Sequence, residues 1–505
     1  DIPTLYSCSL VNKRWNENAI PYLWENPFEN LSWANLNSTN KILENLTNTT
    51  GSKMKEYTVT SQRCKSLLMP YLYFMEEEER DELNLIDSND IPNHPLFNYA
   101  KYLKYLHVDR IITIIKTLLN NDTYFEDSER QVEVILTSLL NIFIKFSKVM
   151  KISFESIYQE NNSIILSAFS YLKDKNESSF KDFFSNFQEF ECSSVYPSND
   201  VFDLFRKHSS NIKSFTITME TPDLFTLLRN SEVGISELIS IQHSITELNF
   251  QGEQISTFIG NHSIHNLFKS HPNITKSLRK VRISNVIYMS NILLKSADTL
   301  EDLEINFSDP HFENLSTIKV TNVRFIKLKY LRISANTFNN EFLGFILNSG
   351  DEDGGKGGGL EHISITTWTT RNNSCMLLLD AISLRHYQTL TYLHIPIKIT
   401  VKETLEKLRD LCELCNKLKF LRFDSIKQSE GHENYSCDIL QLLKEYSSLN
   451  ITKFELMGWW SLSPENVIEF IDYRKSLNCY FKLYIDDLDH FLLSPYINDG
   501  ILNIT

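Results

Sequence analysis

Cysteine is scarce in this chain, at 8 of 505 residues. Cys8, Cys64, Cys192, Cys375, Cys412, Cys415, Cys437 and Cys479 are spread thinly and mostly sit inside apolar patterns. That usage suits free thiols in a reducing compartment and argues against a disulfide-framed secreted scaffold. Basic charge is also in deficit. Lys and Arg number 50 against 64 Asp and Glu, a formal net charge of -14, whereas binding a phosphate backbone needs a cationic surplus. Nucleic acid is therefore not expected as a main partner. No apolar run reaches membrane-spanning length, since the stretch from Ile111 to Leu119 is interrupted by Thr113 and Lys116. No signal peptide is visible either. The expectation is a protein with no membrane partner, placed inside the cell in cytoplasm or nucleus.

Catalytic signatures are missing as well. The chain has no glycine-rich phosphate loop, HExxH pair or nucleophile elbow, so no enzyme, cofactor or catalytic residue is expected. Cys412 and Cys415 form CELC, with His432 and Cys437 downstream, which is ligand-like spacing for zinc. Both cysteines also fall on the apolar side of a predicted helix with Leu408 and Leu411. Buried thiols are the stronger reading, and no metal is expected.

What is present is a large apolar content, 42% hydrophobic and 12% aromatic, enough for a folded chain. One short pattern recurs through it: an apolar residue, another at +3 and a third at +5. It appears as Ile212/Phe215/Ile217, Ile245/Leu248/Phe250, Leu278/Val281/Ile283, Leu300/Leu303/Ile305, Leu328/Leu331/Ile333, Leu360/Ile363/Ile365, Leu390/Leu393/Ile395 and Leu418/Leu421/Phe423. Looser copies are Ile451/Phe454/Leu456 and Tyr480/Leu483/Ile485. At 42% apolar content, one such triplet arises by chance about 7% of the time, so a single copy decides nothing. The spacing decides: successive copies lie 22 to 33 residues apart with a mean near 30, close to the roughly 20–29 residues of a leucine-rich repeat.

The +3 and +5 residues alternate as a strand requires, both facing one core. Helix-like segments such as PDLFTLLRN after Thr221 and KETLEKLRDLCEL after Val401 separate the strands. Ser463-Pro464-Glu465 is a helix start, with a capping serine and proline at the first helical position. Strand, turn and returning helix, stacked side by side, predict an α/β leucine-rich-repeat-like solenoid, a curved parallel sheet with helices on the convex side. Earlier copies occur at Phe187/Phe190/Cys192, Val149/Ile152/Phe154, Leu103/Leu106/Val108 and Met54/Tyr57/Val59, at longer steps. Helical insertions fill the excess, one of them predicted from a capping box at Ser128 and Gln131 through Lys145; a separate helical linker domain is the alternative. The low-complexity stretch from Gly350 to Gly359 reads as a mobile loop.

At the start of the chain, Leu5, Cys8, Leu10, Val11 and Trp15 form an apolar stripe, predicting a helix over 4–16. Pro21 then stops or redirects the chain before a turn carrying Leu23 and Trp24. A plug this short cannot bury two tryptophans within itself. Some other surface must cover them, either a partner or the rest of this chain. These residues, Leu5, Leu10, Val11, Trp15 and the Leu23-Trp24 pair behind Pro21, resemble the second half of an F-box. The Leu-Pro opening and first helix of that family are not in the sequence, so the match is to its C-terminal half. With the repeats, the chain resembles F-box proteins carrying degenerate leucine-rich repeats, of the kind found in large fungal families. The family's turn asparagine has a counterpart only at Asn336, in the copy at Leu328, so irregular repeats with uneven loops are expected.

The resemblance implies a partial F-box at 1–28, irregular repeats with helical insertions at 29–200 and the main solenoid at 201–505. It implies a non-catalytic receptor of a cullin ubiquitin ligase that holds a Skp-type adaptor through Leu5, Leu10, Val11, Trp15, Leu23 and Trp24. A target protein, whose identity the sequence does not give, would lie on the solenoid. Outward strand residues Arg282, Glu304, Arg332 and Arg422 are candidates to meet it, together with Trp368, Trp459 and Trp460. A scaffold outside any ligase is the alternative, with the plug serving as a cap.

Overall fold

The computed structural model describes residues 12–29, 64, 66–75, 97–119, 125–154, 161–193, 197–219, 228–252, 276–284, 290–306, 323–337, 340–347, 349, 359–369, 372–397, 402–425, 436–458, 460, 462–477, 481–485, 494–499 and 501–504. The chain forms two compact units, Asp1–Ile245 and Thr246–Thr505. Each is an α/β solenoid of the leucine-rich-repeat kind.

The first unit carries α1 (Lys13–Leu23), β1 (Tyr105–His107), α2 (Val108–Leu119), α3 (Phe125–Phe146), β2 (Lys151–Phe154), α4 (Asn161–Lys175), α5 (Glu177–Ser185), β3 (Glu189–Ser193), α6 (Asn199–His208), β4 (Ser214–Met219) and α7 (Leu228–Ser240). Strands β1 to β4 pair in chain order and in parallel, aligning Leu106, Ile152, Phe190 and Phe215 in one row. The long early steps in the sequence period are filled by two helices each, α2 and α3 after β1, α4 and α5 after β2. Their core is built on phenylalanine: Phe154, Phe169, Phe184, Phe187, Phe190 and Phe205 are buried and meet largely edge to face. Ring edges carry partial positive charge and faces partial negative, which favours that geometry over sandwich stacking.

The second unit carries β5 (Glu247–Gly252), β6 (Lys280–Ser284), α8 (Ser290–Ser296), β7 (Asp302–Asn306), β8 (Tyr330–Thr337), α9 (Asn340–Leu347), β9 (His362–Thr369), α10 (Asn372–Arg385), β10 (Tyr392–Ile397), α11 (Lys402–Leu414), β11 (Phe420–Ser425), α12 (Ser436–Tyr446), β12 (Lys453–Gly458), α13 (Pro464–Ser476), β13 (Lys482–Ile485), α14 (Ser494–Asn498) and β14 (Leu502–Ile504). These strands also pair in chain order and in parallel. The +3 residues Leu248, Val281, Leu303, Leu331, Ile363, Leu393, Leu421, Phe454 and Leu483 form one buried row. Each fully buried aliphatic side chain contributes about 1.5–3 kcal/mol, and no single repeat can collect that without its neighbours.

The residue before most strands locks the stack. Its carbonyl takes two amides from the following repeat: Arg279 and Lys280 donate to Thr246 O at 2.9 Å each, Glu301 and Asp302 to Arg279 O at 2.7 and 3.0 Å, Thr391 and Tyr392 to Glu361 O at 2.8 and 3.1 Å. The helices follow their apolar spacing. In and just after α11, Leu408, Leu411, Cys412 and Cys415 are buried, the i, i+3, i+4, i+7 pattern of a one-sided helix. Burial pushes both thiols up, each to about 12. His432 and the Cys437 side chain lie outside the described residues.

Several local expectations are corrected. The first helix does not run through Asn12. Asn12 is extended and caps α1, its side chain accepting from the Trp15 amide at 3.1 Å, and Pro21 lies inside the helix. Proline removes one i to i−4 bond, yet in the last turn the helix still closes, with the Trp24 amide donating to Ile20 O at 3.0 Å. Ser128 does not cap α3, which is already helical from Phe125. Asn336 belongs to strand β8 rather than to a turn. Strand β14, with Leu502 buried, adds a strand beyond the Tyr480 triplet. The Ser463 cap and Pro464 start of α13 are as expected, Ser463 accepting from the Asn466 amide at 3.2 Å. The Met54/Tyr57/Val59 copy and residues 350–358 of the glycine-rich stretch lie outside the described residues. Gly359 is packed, with space for a Cβ closed by Thr389 Oγ1 at 2.5 Å.

Candidate functional site

Two surfaces gather the candidate residues, one in each unit. The first is α1 with the segment behind it. Leu5, Leu10 and Val11 lie outside the described residues. Trp15 is 51% exposed and Tyr22, one heptad further along the same helix, is 67% exposed. Ala19 and Ile20 are buried, while Leu23 and Trp24 are half-buried. Trp24 is occupied by this chain, packing edge-on to Tyr71 at 5.5 Å and against Tyr99 at 4.3 Å between ring centroids.

Residues 24–29 are built into the first rung of the solenoid. The Glu25 carbonyl takes the Lys104 and Tyr105 amides at 3.0 and 3.2 Å, the same double acceptance that links successive repeats. Its carboxylate also pairs with Lys104 Nζ at 3.1 Å. Asn26 Oδ1 lies 3.1 Å from His107 Nε2, Arg110 donates to the carbonyls of Phe28 and Glu29 at 3.2 and 2.9 Å, and Phe28 is wholly buried. The described adaptor candidates are therefore not presented together. Trp15 faces outward, with Tyr22 beside it, while Trp24 anchors the segment to its own chain.

The second surface is the outward face of the β5–β14 sheet. The row between the two buried positions reads Asn249, Arg282, Glu304, Arg332, Ser364, His394, Arg422, Glu455 and Tyr484 across β5 to β13. Arg282, Glu304 and Arg332 come together: Arg282 meets Glu247 at 3.4 Å and Glu304 at 3.3 Å, and Arg332 meets Asp302 at 3.0 Å and Glu304 at 3.7 Å. Arg422 joins a separate cluster, bonded to Asp424 at 2.8 Å and Glu455 at 3.2 Å. Half-exposed pairs of this kind contribute about 0–1 kcal/mol each, so a partner breaking one loses little.

Tryptophan is placed differently from expectation. Trp460 is 8% exposed, its ring N–H donating to Met457 O at 2.8 Å, and offers no rim contact. Trp459 and the Trp368 side chain lie outside the described residues; the Trp368 backbone is in β9.

Local motif reading misses the row at +2 of each triplet. There Tyr330, His362, Tyr392 and Phe420 form an aromatic strip. His362 and Tyr392 stack at 3.8 Å, and Tyr392 and Phe420 at 4.2 Å. Lys453 closes the strip, its ammonium 4.9 Å from the Phe420 ring centre. Burial lowers the His362 pKa to about 4, with Arg332 and His394 adding to the shift, so this ring is neutral at pH 7. Missed too is the chain Ser364–His394–Asp424: Ser364 Oγ is 3.1 Å from His394 Nδ1, and His394 Nε2 is 2.7 Å from Asp424 Oδ2. Both sets are legible once the repeats are aligned on their first apolar residue, because parallel pairing puts equal offsets side by side.

No family model matches the sequence, and no curated protein matches it. Among the described residues, no helix is long and apolar enough to cross a membrane.

Proposed function

We propose that this chain is the substrate receptor of an SCF-type cullin ubiquitin ligase, holding a Skp-type adaptor at α1 and a target protein on the solenoid. The observation that carries the reading is the split at the N-terminus: Trp15 is presented to solvent on a helix whose following residues form the first rung of the repeat stack. A docking helix continuous with that rung would join a bound target and the ligase through one chain. Proximity then does the work, by raising effective concentration. The chain itself would perform no step of ubiquitin transfer, and it would act inside the cell, in cytoplasm or nucleus.

A second reading, a scaffold outside any ligase, is favoured by Trp24, which is spent on Tyr71 and Tyr99. Co-expression with a Skp-type adaptor separates the two. The receptor reading expects the adaptor to co-purify with the chain and to be lost with Trp15→Ala or Tyr22→Ala. Absence of adaptor from the wild-type eluate, or equal recovery with both variants, contradicts it and leaves the scaffold.

A further inference from the structure

The outward face of the second unit's strands holds an ordered hydrogen-bonded chain that the receptor function does not use. Ser364 on β9 and His394 on β10 are register partners, and Asp424 on β11 follows Arg422, the register partner of His394, by two residues. The three side chains lie on neighbouring strands of the outward face, with His394 buried between half-buried Ser364 and Asp424. Their distances, 3.1 Å from Oγ to Nδ1 and 2.7 Å from Nε2 to Oδ2, are those of a nucleophile, a base and an orienting acid.

The direction of each bond follows from Asp424. Burial alone would raise its carboxyl, but hydrogen bonds from His394 and Arg422 outweigh it and hold the pKa below the ordinary carboxylate value. An ionised carboxylate only accepts. In the neutral imidazole Nε2 therefore carries the proton and donates to Asp424, and Nδ1 is left as acceptor. The Ser364 hydroxyl must then donate to Nδ1, the arrangement in which a serine proton is ready to leave.

We propose that Ser364 is an activated nucleophile that takes the acyl group of an ester-class substrate. Oγ attacks the ester carbonyl carbon while its proton passes to His394 Nδ1, and ionised Asp424 stabilises the imidazolium. Collapse of the tetrahedral intermediate breaks the bond to the leaving alkoxide, which takes the proton from Nδ1. Acyl-serine and an alcohol result. Water, deprotonated by the same Nδ1, releases the carboxylic acid and restores the hydroxyl. The Tyr330–His362–Tyr392–Phe420 strip runs one row away, a distance of two residues along each strand, roughly 7 Å. Its stacked rings cover one another's faces and leave edges outward, which suits an ester with an apolar group lying across those edges.

The inference is independent of adaptor docking. Its test is to treat the full chain with a fluorophosphonate probe, locate the adduct by peptide mass spectrometry, and follow labelling rate alongside thermal melting. The expected adduct is on Ser364, absent in Ser364→Ala and unchanged in Ser334→Ala on the neighbouring strand. His394→Ala should slow labelling on the order of 10²-fold, the lower end of a general base's contribution. If that variant melts early, His394→Gln serves, being close in size and unable to accept the serine proton. No adduct on wild type, adducts spread evenly over the outward serines, or wild-type labelling rates in a folded His394 variant would overturn the proposal.

Discussion

At His386 one fully buried imidazole ties two separate stretches of backbone. Its Nδ1 accepts from the Leu360 amide at 3.1 Å and its Nε2 donates to the Ile346 carbonyl at 2.8 Å. The bond accepted at Nδ1 requires the neutral ring. Burial lowers its pKa from 6.5 to about 4, against the pull of the Ile346 carbonyl. Between those values the unfolded chain binds a proton that the folded chain refuses. Stability therefore falls as pH drops from 6.5 towards 4, by up to about 3 kcal/mol from this residue. Urea midpoints measured across that window should fall more steeply in wild type than in His386→Gln. Arg474 is a second buried polar anchor, donating to Ile451 O at 2.8 Å and Ser448 O at 3.3 Å, with its guanidinium between Phe454 and Phe481. Arg474→Met keeps the packing volume and strips those carbonyls of a donor. A loss of about 2–4 kcal/mol is expected by chemical denaturation, since each buried unsatisfied group costs about 1–3 kcal/mol.

Elements were legible in proportion to how far local chemistry determines them. The start of α13 is fully local, a serine side chain closing on the Asn466 amide with proline behind it, and Ser463→Ala should lower stability by about 1 kcal/mol. The start of α1 was misread because the stripe from Leu5 to Trp15 is continuous in sequence while the backbone is extended at Asn12. Pro21 misled for a related reason: a missing amide hydrogen bond is tolerable in a last turn held by its neighbours. Gly458, ending β12, was not singled out at all. Its φ of +87° and the Ser425 carbonyl oxygen 2.6 Å from a built Cβ are set by the adjoining strand, and nothing nearby in sequence announces them. Gly458→Ala should cost about 2 kcal/mol or more, since the left-handed backbone alone is worth 1–2 kcal/mol, read as a lower melting temperature.

For the whole molecule, the fold was readable because the same demand is made in every turn of the solenoid. Ile212, Leu278, Leu300, Leu360, Leu390 and Leu418 are all fully buried before their strands, so the period survives even where single copies are loose. The surfaces were less readable, because they depend on which repeats stand side by side. Arg282, Glu304 and Arg332 were placed outward correctly from alternation, yet their mutual pairing, the separate Arg422 cluster and the Ser364–His394–Asp424 chain are properties of register. Trp460 failed for the opposite reason, since an indole beside a strand end was free to fold back onto Met457 O. Under the proposal Trp15 docks an adaptor while Trp24 holds the same segment to the solenoid, and titration calorimetry of the chain with a purified Skp-type adaptor decides it. Trp15→Ala is predicted to weaken binding at least about tenfold, 1.4 kcal/mol, with the melting temperature unchanged; an unchanged dissociation constant, or no heat of binding from the wild-type chain, would contradict the account.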